Sequence, residues 1–209
     1  MVRVRFILTA VVILSCFAVA SAQSSFNSID AFKKVTLKGG DDVSVEAKGD
    51  LNGDGVEDWA GVIHRQKQDA TPTYQLYVLM GSGKGGYSVA VTSKEAEIPG
   101  MGCCWVENLE IKRGSIYIQN NAKTASTMEA ATHQFKLYNG EWRLVGLRIY
   151  YTDLGANTST DTDMNLLTGA VVEKKQKGER KPVSRNSRKK FPTSFLKEFD
   201  FNNGFGTGM

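Results

Sequence analysis

The chain has 209 residues, of which 41% are hydrophobic and 23% charged, with 26 lysines and arginines against 22 acids and a formal charge of +4. That length suits one domain with a core able to stand without covalent staples, and three cysteines, two of them adjacent, exclude a disulfide scaffold. The positive excess is local: residues 173–190 hold nine basic residues and two acids, so the rest of the chain past its leader is mildly acidic. That basic ribbon has no interleaved aromatics to stack on bases, and no specific nucleic-acid partner is expected.

Arg3 and Arg5 precede an apolar run from Phe6 to Ala20, and Ala20-Ser21-Ala22 closes it. Residues 1–22 are therefore expected to be a secretory signal peptide cut before Gln23. A competing reading acylates Cys16 in a lipoprotein box, Ile13-Leu14-Ser15-Cys16. It suits the sequence less well, because Leu14 fits the box poorly and the apolar run continues past Cys16. No later stretch approaches the roughly 18 apolar residues of a membrane span. The mature chain, from residue 23, is expected to be exported, either periplasmic or secreted.

Taken in order, Ser28 caps a short predicted helix over residues 28–34. Residues 43–48 alternate apolar and polar with period two, the mark of a half-buried strand, and residues 59–63 leave the intervening loop as a second strand. Residues 74–80 and 87–92 read as strands around the glycine-rich connection 81–86. A phosphate-binding reading of that connection fails, since Lys84 is followed by two glycines and a strand, not by Ser or Thr and a helix. Residues 106–111 and 115–119 flank a turn at Arg113-Gly114. Residues 133–138 and 141–151 flank Asn139-Gly140, a strong hairpin signal because both turn residues tolerate positive φ. The strand from Trp142 carries apolar residues on both faces and is expected to be central and covered on both sides. Residues 152–162 read as an exposed loop, residues 165–172 as a last hairpin, and residues 173–190 as a solvated, flexible basic linker. Phe191, Phe195, Phe199 and Phe201 then predict a C-terminal segment, 191–209, that docks back on the body. The expected fold is all-β: a single compact domain over 23–172, mainly an antiparallel meander of about eight to ten strands, sandwich or partial-propeller-like, with little helix.

One stretch states a chemistry. Asp50, Asn52, Asp54 and Asp58 stand at positions 1, 3, 5 and 9 of a tight loop, with Gly55 at the sixth position and the Val56 carbonyl at the seventh. Several oxygens converging from one short turn suit a hard cation such as Ca²⁺, and glycine permits the sharp bend. The helix-flanked calcium loop is not matched, because Gly61 stands at the twelfth position where a bidentate Glu is required. A structural Ca²⁺ is expected, with an Asn/Asp/Gly-rich hairpin without metal as the alternative.

The run Asp50-Leu51-Asn52-Gly53-Asp54-Gly55-Val56-Glu57-Asp58 resembles the strand-flanked D-x-N-x-D-G-x-x-D loops of the FG-GAP and VCBS repeat families. The resemblance implies Ca²⁺ held by the side chains of Asp50, Asn52, Asp54 and Asp58 and by the carbonyl of Val56. Residues 47–52, 135–146 and 165–169 are also similar to a set of bacterial exported proteins and lipoproteins of no assigned activity, in which a basic linker precedes an aromatic, acidic end like residues 196–201. That likeness implies one compact domain of the bacterial envelope.

Cys103 and Cys104 are expected either to close a vicinal disulfide in an oxidising compartment or to sit as two small side chains in a turn. His64 and His133 have no acid at ligand or triad spacing and read as ordinary strand residues. No catalytic set is nameable. The leading expectation is a binding or structural envelope protein whose partner is a protein or an envelope polymer, and the alternative is an envelope enzyme or enzyme inhibitor with a site assembled from distant residues.

Overall fold

The computed structural model describes residues 24–66, 71–97 and 104–201. The expected leader, Cys16 and Cys103 lie outside the described residues.

The first half builds one sheet and the only α-helix among the described residues. Strands β1 (Ser25–Phe26), β2 (Asp42–Gly49), β3 (Asp58–Arg65), β4 (Thr73–Gly81) and β5 (Tyr87–Thr92) lie in the order β1-β5-β4-β3-β2, with the short β6 (Ala96–Glu97) also on β4. Helix α1 (Ile29–Thr36) starts where the Ser28 hydroxyl accepts a hydrogen bond from the Ala31 N–H at 3.1 Å, which satisfies one of the otherwise unpaired first-turn amides. Its apolar face, Ile29 and Phe32, packs on Trp59, Ile63 and Leu79 of the sheet, with the Phe32 and Trp59 rings 5.5 Å apart edge to face.

The second half is a seven-stranded meander in strict sequence order: β7 (Cys104–Lys112), β8 (Ser115–Lys123), β9 (Thr127–Tyr138), β10 (Glu141–Asp153), β11 (Thr158–Asn165), β12 (Ala170–Lys177) and β13 (Val183–Arg188). Every neighbouring pair is antiparallel. Asn139 and Gly140 both take positive φ, 52° and 79°, as a two-residue hairpin turn of matching twist requires. A bulge between Leu144 and Gly146 shifts the register of β10, so that Leu144 opposite Phe135 and Leu147 opposite His133 stay on one face.

The two sheets face each other across a core drawn from Ala60, Val62, Leu76 and Val78 on one side and Ile116, Ile118, Phe135, Trp142 and Leu144 on the other. Facing sheets, not a propeller blade, are thus the architecture. On one flank β2 lies against β7, so close that a Cβ at Gly49 would sit 2.6 Å from Ile111 Cγ2. On the other flank the C-terminal segment closes the gap. Leu144 N–H donates to the Ser194 carbonyl at 2.9 Å, and Lys94 N–H donates to the Phe199 carbonyl at 3.0 Å, so the segment is tied to both sheets. Leu196 and Phe201 are fully buried in the core, each burial worth about 2–3 kcal/mol by area.

Four expectations need correction. Residues 173–190 are no flexible linker: β12 runs to Lys177, a turn follows, and β13 pairs back on it. The physical reason is register, which sets Asp161 opposite Lys174 and Glu173 opposite Arg185, cross-strand pairs of opposite charge that composition cannot reveal. Residues 152–162 are not one loop, since β11 begins at Thr158 and its alternating threonines suit a polar strand. The central strand β10 is covered on both sides only in part, for Tyr150 and Tyr151 are exposed. With β1, β6 and β13 the strands number thirteen among the described residues, above the eight to ten expected.

Candidate functional site

The 50–58 loop joins β2 to β3, and its side chains first of all fold its own backbone. Asp50 Oδ1 accepts from the N–H groups of Asn52 at 3.2 Å and Gly53 at 2.6 Å, and its Oδ2 accepts from Gly55 N–H at 2.9 Å. Asn52 Oδ1 accepts from Asp54 N–H at 3.0 Å while its Nδ2 donates to Asp54 Oδ2 at 2.8 Å. Asp54 Oδ1 accepts from Val56 N–H at 2.8 Å. These are successive side-chain-to-backbone turns of the kind Asn and Asp favour. Gly55 takes φ +78°, and Gly53 φ +81°, conformations that a side chain would strain. The amides of Gly55 and Gly53 hold the Asp50 carboxyl below the usual carboxylate range.

Asp58 plays a different part. It is fully buried, its Oδ2 accepts from Leu51 N–H at 2.8 Å, and its Oδ1 accepts from Gly81 N–H at 2.8 Å. One carboxylate thereby ties the start of the loop to the end of β4. Burial raises its pKa against the pull of those two amides, and the charges of Asp54 and Asp50 push the same way. Leu51 drops its side chain into the core between the sheets, and its carbonyl lies against the Arg113-Gly114 turn, 3.3 Å from where a Cβ on Gly114 would be. The loop therefore caps one end of the two-sheet stack. Gly61, at the position where a helix-flanked loop would have its Glu, is required by packing: a Cβ there would lie 2.2 Å from the Trp59 ring. That ring is held in turn by Glu46, whose Oε2 accepts from Trp59 Nε1 at 2.6 Å.

The donor types at Asp50, Asn52, Asp54, Asp58 and the Val56 carbonyl are all oxygen, the chemistry Ca²⁺ takes. Each carboxylate oxygen that accepts one amide hydrogen retains a second lone pair, so the amide bonds do not exhaust the set. Among the described residues no three His, Cys, Asp or Glu groups converge as a ready metal cluster. Of the cysteine pair, Cys104 opens β7 and packs at the margin of the core.

Register also brings together residues that spacing kept apart. Asp42 of β2 stands opposite His64 of β3, with Oδ1 and Nδ1 2.7 Å apart, and the imidazole stacks on Tyr74 at 5.0 Å. On the core-facing side of the second sheet, Asn120 stands opposite Ala131, between His133 and Glu129 of the same strand. His133 is 2% exposed, and burial pushes its pKa down to about 4. Its Nδ1, both side-chain polar atoms of Asn120 and Glu129 Oε1 are buried without hydrogen-bond partners. Burial raises the Glu129 carboxyl. His133 also lines a cavity of about 170 Å³ together with Ser194, Phe195, Glu198, Phe199 and Asp200. The one signal in the sequence was period two: Ile116, Ile118 and Asn120 continue one buried face, as do Ala131, His133 and Phe135.

Fold and loop together define a two-sheet antiparallel β-domain with an oxygen-rich loop capping one end. Comparison with protein-family models, with curated proteins and with solved structures finds no match for the chain.

Proposed function

We propose that this chain is an exported β-domain, periplasmic or secreted, in which the 50–58 loop takes up Ca²⁺ as a structural ion and whose work is to bind a partner of the cell envelope. Asp50, Asn52, Asp54 and Asp58 would hold the ion by their side chains and Val56 by its carbonyl. A bound Ca²⁺ supplies charge neutralisation and no reaction step. The observation that carries the metal reading is that Asp50, Asn52 and Asp54 gather their side-chain oxygens on one tight turn bent at Gly53 and Gly55, with the buried carboxylate of Asp58 closing the loop; a cation neutralises the charge so gathered. The binding role is supported by the opposite end of the second sheet. There, where Lys123 pairs with Met128 and Asp153 with Thr127, the large side chains of Met128, Tyr150, Tyr151 and Leu154 are exposed.

The test is calorimetric titration of the chelator-treated full chain with Ca²⁺, beside thermal unfolding with and without chelator. An ion at about one hundred times its Kd stabilises by about 2.7 kcal/mol, a rise in Tm of roughly 5–11 °C for a chain of this size. An Asp50→Asn, Asp54→Asn double variant should lose that rise. Absent heat, together with a midpoint indifferent to chelator, would sink the metal reading.

A second reading, an envelope enzyme or enzyme inhibitor, is favoured by the cavity beside His133, where an imidazole held neutral faces the same space as Ser194 and Glu198. Screening small substrates against wild type and His133→Gln tests it. Turnover equal in the two proteins removes His133 from any such site.

A further inference from the structure

We propose that the β12–β13 edge of the second sheet and the cleft at its base bind a linear phosphate polymer. The cleft has a volume of about 640 Å³ and is walled by Arg143, Arg188, Lys189 and Lys190, with the rings of Tyr138 and Phe191 beside them. Of these cations only Arg143 has an acid partner among the described residues, Glu141 at 3.0 Å, and its buried Nε has no acceptor. Four cations around one opening exceed what a single carboxylate neutralises. They call for several oxyanions at close spacing, and the forked guanidinium of Arg with the point charge of Lys is the usual means of holding phosphate.

The charge continues along the hairpin. Lys175 and Arg185 lie on one face of the sheet, Lys174 and Arg188 on the other, and every residue of β13 is exposed. Glu173 pairs with Lys175 at 3.2 Å and offsets one of them. Six strand residues from Val183 to Arg188 extend the cationic track by about 20 Å from the cleft. Because the cations occupy both faces of a ribbon, no flat surface meets them all, whereas a flexible chain that enters the cleft and follows the edge does. This geometry favours a linear polymer over a lipid bilayer. The backbone ladder between β12 and β13 fixes the frame from which the cations project, so little backbone ordering is left to do on binding.

The inference stands on this edge and not on the metal loop, so binding that ignores chelator leaves it intact. The probe is long-chain inorganic polyphosphate, titrated into the full chain at several salt concentrations, against polyglutamate and anionic phospholipid vesicles at the same salt. Polyphosphate should bind tightest, and log K should fall linearly with log salt. A triple variant, Arg188→Gln, Lys189→Gln and Lys190→Gln, should keep its Tm, bind polyphosphate at least tenfold more weakly, and show a slope shallower by about 2, at roughly 0.7 per cation removed. Wild-type affinity in that variant overturns the proposal, as does equal or tighter binding of polyglutamate or vesicles.

Discussion

Lowering the pH from neutral to about 4.5 should destabilise the protein chiefly through His133. In the unfolded chain the imidazole takes its ordinary pKa of 6.5, whereas in the fold burial holds it near 4. The folded state therefore favours the neutral ring. Its contribution is complete above pH 6.5 and is lost as the pH falls through the window toward 4. The full gap corresponds to about 3 kcal/mol, of which about 2.5 kcal/mol is gone at pH 4.5. For a chain of this size that is a fall in Tm of roughly 5–10 °C. Glu129 acts with the opposite sign. Burial raises its carboxyl, so the fold binds its proton more readily than the open chain does, and acidification through that range returns some stability. Asp50 and Asp161 are held low, Asp50 by loop amides and Asp161 by Arg148, so their losses begin only below the ordinary 3.8. The assay is thermal unfolding followed by circular dichroism across this range for wild type, His133→Gln and Glu129→Gln. His133→Gln should melt lower at neutral pH yet show a much flatter acid limb, and Glu129→Gln a steeper one. If His133→Gln keeps the wild-type slope, the buried imidazole is not the group responsible.

Replacing Asp58 by Asn leaves one of two buried amides, Leu51 or Gly81, facing a donor instead of an acceptor; denaturant titration should show a loss of about 1–3 kcal/mol, and no loss would mean the tie is not made. Gly61→Ala forces a methyl into the Trp59 ring, at a cost of about 1–3 kcal/mol, visible both in Tm and as a shifted tryptophan emission. Phe201→Ala removes a fully buried ring of the closing segment and should cost about 3–5 kcal/mol by the same titration, where a loss below 1 kcal/mol would contradict its place in the core.

Much of the fold can be read locally because its determinants are local. The Ser28 cap, the alternation through residues 43–48 and 74–80, and the Asn139-Gly140 turn each act within a few residues, and each element forms where those signals stand. The bend at Gly55 is legible for the same reason. What was hidden depends on pairing. The hairpin of β12 and β13 looks like solvated chain until β11 supplies Asp161 opposite Lys174, and the polar row of Asn120, His133 and Glu129 exists only once β8 lies beside β9. His64 looked solitary because its acid, Asp42, is distant in sequence and adjacent only across the ladder. At the loop the residue types are plain in the sequence, but the division of labour is not: Asp58 turns inward as a tie between strands while Asp50 organises the amides of the turn.

The closing segment bears on how the chain comes to be folded. Leu196 and Phe201 complete the core, yet they follow every strand among the described residues. A nascent chain that has emerged only as far as Arg188 carries both meanders but has an open flank with no lid over Phe135 and Leu144. Residues 194–201 dry that flank and act as a latch between the two sheets that strand pairing alone does not supply.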